Sequence, residues 1–327
     1  NIGLPVLGFE NTLDAGYQIL ELSSYQLELT PSLCCEIAVI LNISPDHLDR
    51  HGGMDGYKAA KLKIMKSLPK NAIAIIGVDD PESIGIAKWL IENEYQNLRV
   101  IPISGLIVPE NGVGFLNGNI VSNINRENEV VVSLHDNTIL PGAHNWQNVA
   151  AGTAVALTLG ISNNIIKNAI SSFPGLPHRQ ELVGTFNSLT FINDSKATNA
   201  DATARALSCY ESIYWILGGR SKEGGIGLLS KFFPKIRHAF LIGECSEEFA
   251  DVLKGVVKFT DCGTIQNAIE TIKNDIPSIY NDKVVILLSP AAASFDQFES
   301  YEARGDAFRL LIEEKILNNP GLRSCLS

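Results

Sequence analysis

At 327 residues, 45% of them hydrophobic and 19% charged, the chain is long enough for roughly two domains of ordinary size. Its formal net charge of −10 argues against a general nucleic-acid footprint. An anionic ligand must therefore be met by locally placed Lys, Arg and helix N-termini.

No apolar run reaches the ~20 residues of a membrane helix. The opening NIGLPVLGFEN lacks the basic and apolar regions of a signal peptide, and with no initiator Met the sequence reads as a piece of something longer. The six cysteines are scattered without metal-type spacing and read as free thiols in a reducing compartment.

In chain order, the apolar runs YQILEL (17–22), EIAVILNI (36–43), AIAIIG (72–77) and RVIPIS (99–104) predict buried strands. Helical patterns at 56–68 and 81–93 lie between them, which argues for βαβ units and a mostly parallel sheet. From 111 to 140 short, polar-alternating pieces rich in Asn and Gly predict a small antiparallel excursion, followed by helices at 145–160 and 162–172. FPGLPHR (173–179), with two prolines and a glycine, reads as a hinge and domain boundary. The alternation then restarts with strands at 189–193, 213–218, 237–243, 256–260 and 283–289. Helices are expected at 199–209, 246–254, 263–273 and 297–317, giving a second α/β domain with a Rossmann-like order of elements.

In open parallel sheets ligands bind beyond the carboxyl ends of strands, so polar residues there are informative. Glu21, at the end of the first apolar run, is read either as a helix cap or salt-bridge partner, or with His47 as half of a divalent-cation site. Lys58 and Lys61, one turn apart on a helix, fit a solvated basic face or a functional one. Asn145 and Asn148 in HNWQN can cap the helix or read the edge of a base.

FINDSKATNADAT (191–203) is more pointed. N-capping accounts for Thr198 or Asn199, but not for Asp194 and Lys196 as well, and a cation at a helix N-terminus favours an anion. ILGGRSKEGG (216–225) and LLSPAAASFDQF (287–298) repeat the design of a strand running into a small-residue loop, with Lys222 and Ser294 on those loops.

Taken in order, NIGLP, ELSSYQLE, NISPDHLDRHGGMDGYKAAK, GLPHR, NDSKATN and LLSPAAASFDQF resemble the Mur ligases, the ATP-dependent amide ligases of peptidoglycan synthesis. The last two strings are similar to those of the D-glutamate-adding branch. A folylpolyglutamate synthase-like ligase, or a non-catalytic nucleotide-binding relative, is the alternative.

The resemblance implies an α/β architecture. Residues 1–175 would form a central ATP-binding domain of mostly parallel sheet and helices, and 176–327 a Rossmann-like C-terminal domain that binds the amino acid. It further implies that Glu21 and His47 hold Mg²⁺ (or Mn²⁺), and that Lys61 carries a carbamate derived from CO₂, making these three the catalytic set. Asn145, Asn148, Arg179 and Asp194 would bind ATP. Asn1, Asp46, Lys196, Thr198, Lys222, Ser294, Phe295 and Tyr301 would bind the substrates UDP-N-acetylmuramoyl-L-alanine and D-glutamate. A monomeric enzyme of the bacterial cytoplasm is implied, with neither nucleic acid nor membrane insertion.

The family's N-terminal domain and its P-loop (G-T-N-G-K-S/T) are missing from the sequence, so the chain by itself is expected to be inactive. Tyr301 stands where the family has phenylalanine, and SPAAAS replaces a cysteine-containing string.

Overall fold

The computed structural model describes residues 16–45, 48–135, 137, 139–221, 224–279 and 281–319. The chain divides into two compact units, Asn1–Asp136 with Ala143–Ser172, and Asn137–Gly142 with Phe173–Ser327.

Among the described residues the first unit holds one six-stranded sheet in sequence order, β1 (Ile37–Ile40), β2 (Ile73–Gly77), β3 (Arg99–Ser104), β4 (Val113–Leu116), β5 (Asn119–Ser122) and β6 (Glu129–Ser133). β1 to β4 pair in parallel, while β4, β5 and β6 form the antiparallel excursion. Strand β2, between β1 and β3, is well covered, with Ala74, Ile75 and Ile76 fully buried.

Helices α1 (Ser24–Leu29), α2 (Leu48–His51), α3 (Met54–Lys66), α4 (Pro81–Glu92), α5 (Ala143–Thr158) and α6 (Asn163–Ser171) belong to this unit. α4 starts where it does because Asp80 caps it, accepting from the Ser83 N–H at 2.9 Å, and Pro81 supplies a preset φ at the first position.

Two expectations are corrected here. Residues 17–22 are not a strand: they run as irregular chain with Tyr17 72% and Ile19 91% exposed. An apolar run becomes a strand only where a neighbour takes its ladder hydrogen bonds, and no described strand pairs with this one. The expected strand 36–43 shrinks to Ile37–Ile40, the stretch in register with β2.

The second unit's sheet has the order β11-β10-β9-β12-β8-β7, parallel except for β7 against β8. Its strands are β7 (Glu181–Phe186), β8 (Leu189–Asn193), β9 (Ile213–Gly218), β10 (Ile236–Ile242), β11 (Phe259–Gly263) and β12 (Val284–Leu288). α7 (Ala200–Ser208), α8 (Ser246–Leu253), α9 (Ile265–Ile279) and α10 (Tyr301–Ile312) cover it. Two apolar clusters, one around Phe191, Phe240 and Phe308 and one around Trp215, Leu241 and Phe249, pack on its faces.

β7 was not expected, because a register shift between Leu182 and Gly184 breaks the alternation that marks a strand. β11 lies three residues later than 256–260, and α9 runs on to Ile279. Residues 297–300 belong to a loop rather than to α10, which begins only after its N-cap Ser300 accepts from the Ala303 N–H at 3.1 Å. No helix among the described residues is long and apolar enough to cross a membrane.

Candidate active site

Within the second unit, the loops leaving β8, β9 and β12 come together because these strands are neighbours in one parallel sheet. They are joined by backbone hydrogen bonds: Ala291 N–H to Ala197 O (3.0 Å), Gly218 N–H to Pro290 O (2.9 Å) and a two-way pairing of Arg220 with Ala293 (2.9 and 3.0 Å). Gly219, at φ 138°, permits that approach, since a Cβ there would lie 2.1 Å from Ala293 O.

Lys196, Thr198, Ser294 and Phe295 sit on these loops. Lys196 places its Nζ 5.9 Å from the ring centroid of Tyr301, the first residue of α10. Ser294 is buried and Phe295 is 65% exposed. Asn199, not Thr198, caps α7, accepting from the Ala202 N–H at 2.8 Å, which leaves Thr198 outside the capping role. Arg179 is exposed before β7.

Asp194 lies deeper, at 4% exposure. Its Oδ1 accepts from the Gln180 N–H at 3.1 Å and its Oδ2 from Ser289 Oγ at 2.8 Å. Burial pushes its carboxyl up to about 7, against the opposing pull of the Ser289 hydroxyl, the Gln180 N–H and the Arg179 charge.

Arg304, on α10, was not picked out from the sequence. It is fully buried, donating from Nε to Ser195 Oγ (3.0 Å), from Nη2 to Ser195 O (3.0 Å), from both Nη atoms to Ala292 O (3.1 Å) and from Nη1 to Gly218 O (3.4 Å). Burial lowers its guanidinium to about 10, so it remains charged at neutral pH.

In the first unit α5 begins at Ala143, beside the carboxyl ends of β2 and β3. Asn145 therefore stands inside the first turn and Asn148 inside the helix, both half-buried. Below them Gln147 donates from Nε2 to Asp79 Oδ2 at 2.8 Å, and the same oxygen accepts from the Gly105 N–H at 2.8 Å. Asp79 Oδ1 accepts from Ser104 Oγ, which in turn accepts from the N–H groups of Leu106 and Ile107. Gly77 leaves room for this, because a Cβ there would lie 2.8 Å from Gln147 Nε2. Asp79 and Gln147, too, went unremarked in the sequence.

Residues 1–156 match the Mur ligase middle domain. The chain is 47% identical over 317 residues to the UDP-N-acetylmuramoylalanine--D-glutamate ligase of Rhodospirillum rubrum, covering 96% of this chain and 65% of that protein. It is also 47% identical over 313 residues to the enzyme of the same name from Paramagnetospirillum magneticum, covering 96% of this chain and 67% of that one. The chain belongs to the Mur ligase family.

It thus spans about two thirds of the length of these relatives. Among solved structures it resembles UDP-N-acetylmuramoylalanyl-D-glutamyl-2,6-diaminopimelate--D-alanyl-D-alanyl ligase from Acinetobacter baumannii in fold. The TM-score is 0.59 at 21% identity, over 89% of this chain and 62% of that one.

Mur ligases use ATP and Mg²⁺. Of the three residues expected at the metal, Glu21 is exposed just before Ser23, the residue that caps α1. Lys61 is half-buried on α3 with its Nζ 5.4 Å from the Tyr57 ring centroid, and Lys58, beside it in the sequence reading, pairs instead with Glu82. His47 lies outside the described residues, as do Asn1, Asp46 and Lys222. Among the described residues no group of three or more His, Cys, Asp or Glu side chains could hold a metal ion. A lysine ammonium moreover repels a divalent cation. The described donors therefore do not by themselves fit Mg²⁺.

Proposed function

We propose that this chain carries the central part (1–175) and the C-terminal part (176–327) of an ATP-dependent ligase that joins D-glutamate to UDP-N-acetylmuramoyl-L-alanine. The observation that carries the reading is the set of joined strand-end loops in the second unit, which carry Lys196, Thr198 and Ser294, in a chain 47% identical to ligases of that name. A cation and two hydroxyls suit a small dicarboxylate, because charge-assisted hydrogen bonds to carboxylates are the strong ones. Lys222, Phe295 and Tyr301 complete this amino-acid site in the proposal, while Asn1 and Asp46 contact the nucleotide-sugar substrate.

In the reaction a carboxylate oxygen of UDP-N-acetylmuramoyl-L-alanine attacks the γ-phosphorus of ATP, and ADP departs with the electron pair of the broken P–O bond. The free amine of D-glutamate then adds to the acyl carbon, loses a proton, and the tetrahedral intermediate expels inorganic phosphate to leave the amide. Asn145, Asn148, Arg179 and Asp194 are assigned to ATP. Glu21, His47 and Lys61 are assigned to Mg²⁺, with the lysine as its carbamate, since only that form turns a cation into an anionic ligand. The protein works as a monomer in the bacterial cytoplasm.

The test is phosphate release by the whole protein with ATP, Mg²⁺, UDP-N-acetylmuramoyl-L-alanine and D-glutamate, with each substrate omitted in turn. Release that does not depend on D-glutamate would overturn the assignment. Lys222→Ala should raise the KM for D-glutamate about tenfold or more while leaving that for ATP nearly unchanged. An effect on the ATP KM alone would move this loop to the nucleotide.

A further inference from the structure

The second unit buries a full positive charge with no carboxylate in contact among the described residues. Arg304 is wholly enclosed, and among the described residues its guanidinium hydrogen-bonds to the chain segments that leave three neighbouring parallel strands: Ser195 after β8, Gly218 at the end of β9 and Ala292 after β12. A buried ion costs several kcal/mol in desolvation, and an apolar side chain at such a place is often more stable. Packing alone does not account for an arginine here, but geometry does. The planar fork meets two carbonyls that receive a pair of bonds or share donors, Ser195 O and Ala292 O, and Ser195 Oγ passes the constraint on by donating to Tyr301 O at 2.8 Å.

Each anchored residue adjoins a side chain of the amino-acid site. Ser195 precedes Lys196, Ala292 lies two residues before Ser294, and Tyr301 itself faces Lys196. Gly218 opens the loop that leads to Lys222.

We propose that Arg304 is a positioning residue: without touching substrate, it clamps the three strand-end loops at one spacing, so that Lys196, Ser294 and Tyr301 meet both carboxylates of the amino acid together. This rests on the functional reading above. A lysine at 304 keeps the charge but, as a point donor, cannot hold three loops at fixed separation.

The experiment compares the whole wild-type protein with Arg304→Lys and Ser195→Ala. It measures the KM for D-glutamate and for ATP, the kcat, the thermal midpoint, and amide hydrogen exchange in Gly218–Ser221 and Ala291–Phe295. The clamp predicts that Arg304→Lys raises the D-glutamate KM about tenfold, with the ATP KM within about twofold, and speeds exchange in both loops. A folded Arg304→Lys with both KM values and loop exchange as in wild type overturns it. So does a variant whose two KM values rise equally.

If Arg304→Lys does not fold, Ser195→Ala decides, since it removes one acceptor and leaves the guanidinium in place. About a threefold rise confined to the D-glutamate KM supports the clamp, and none overturns it. A wild-type protein with no D-glutamate-dependent phosphate release defeats the functional reading instead, and loop exchange in the two variants still reports whether Arg304 holds the loops.

Discussion

Asp79 in the first unit and Arg304 in the second do the same job with opposite charge. Each sits behind the carboxyl ends of parallel strands and gathers the loops that leave them. Around Asp79 the groups pointing inward are donors: the Gly105 N–H, the Gln147 amide and the Ser104 hydroxyl. Around Arg304 they are acceptors: three backbone carbonyls and a serine oxygen. The sign of the anchor follows from which backbone atoms a turn leaves unpaired inside, since buried N–H and C=O groups must find partners. The roles proposed for the side chains near the two anchors differ too: the metal ligands with Asn145 and Asn148 on the first unit, and the amino-acid residues with Arg179 and Asp194 on the second.

The largest effect is expected at Lys61. If the first unit supplies the chemistry, Lys61→Ala in the whole protein should lower kcat about 10²- to 10³-fold, since a single charge-stabilising group is worth about 3–4 kcal/mol. Short carboxylic acids should restore part of it by replacing the carbamate, whereas the D-glutamate KM should move little. Full activity in Lys61→Ala would remove the carbamate and the proposed division of labour together.

One substitution, Asp to Asn, should act in opposite directions at two hydrogen-bonded carboxylates, Asp194 buried and Asp79 half-buried. At Asp194 the native carboxyl holds its proton up to about 7. The unfolded chain releases it near 3.8, the ordinary value. Between those values the native state binds more protons, so this group's contribution to stability falls as pH rises, and the full penalty, about 4 kcal/mol at most, is present above pH 7. Asparagine fits the same partners: its oxygen accepts from Gln180 N–H and its amide donates to Ser289 Oγ, whose hydroxyl turns to Thr203 Oγ1. Asp194→Asn should therefore match wild type below pH 4 and exceed it at pH 8.

At Asp79, either orientation of an asparagine amide sets a donor against a donor or orphans the Ser104 hydroxyl. A loss of about 2 kcal/mol is expected. Denaturant unfolding of both variants at pH 5 and 8 checks the pair, and a destabilised Asp194→Asn at pH 8 would mean that the native carboxyl is not raised above its ordinary value.

The sequence made the second unit's alternation of strands and helices legible, because buried parallel strands such as Ile213–Gly218 are continuous apolar runs bounded by glycine. It failed where the signal depends on a partner. Tyr17–Leu22 has strand-like apolar residues yet has no strand beside it among the described residues, and Glu181–Phe186 hides a real edge strand behind a bulge. Lys196, Ser294 and their loops were visible because a cation or hydroxyl at the end of an apolar run stands out.

Gln147 and Arg304 were harder to see because they sit on helices, where a lone polar residue passes for a solvated one. The pattern does contain them. Gln147 lies on the buried stripe of Ala150, Ala151 and Ala154, and Arg304 on that of Phe308 and Ile312. A polar residue at a core position of an amphipathic helix is the readable mark of such an anchor.

A smaller effect is expected from Ser294→Ala. The hydroxyl is one donor among several at the amino-acid site, so its loss should raise the D-glutamate KM about three- to tenfold with kcat nearly intact. A fall in kcat with an unchanged KM would place Ser294 nearer the reacting centre than the second unit's proposed role allows.

The smallest effect separates what Arg220 does with its backbone from what it does with its side chain. The guanidinium pairs with Glu244 at 3.1 and 3.3 Å, but the two side chains are 55% and 58% exposed, where water screens the attraction. Its N–H and C=O, by contrast, pair with Ala293 and join the β9 and β12 loops, and alanine keeps both. Arg220→Ala should therefore shift the thermal midpoint by no more than about 1–2 °C and leave the D-glutamate KM within about twofold. Arg304→Lys, which keeps its charge but loses the fork, should do more on both measures. If the exposed arginine proved the costlier to change, the spacing of the loops would be set by the surface ion pair, and the buried guanidinium would be only one polar contact among many.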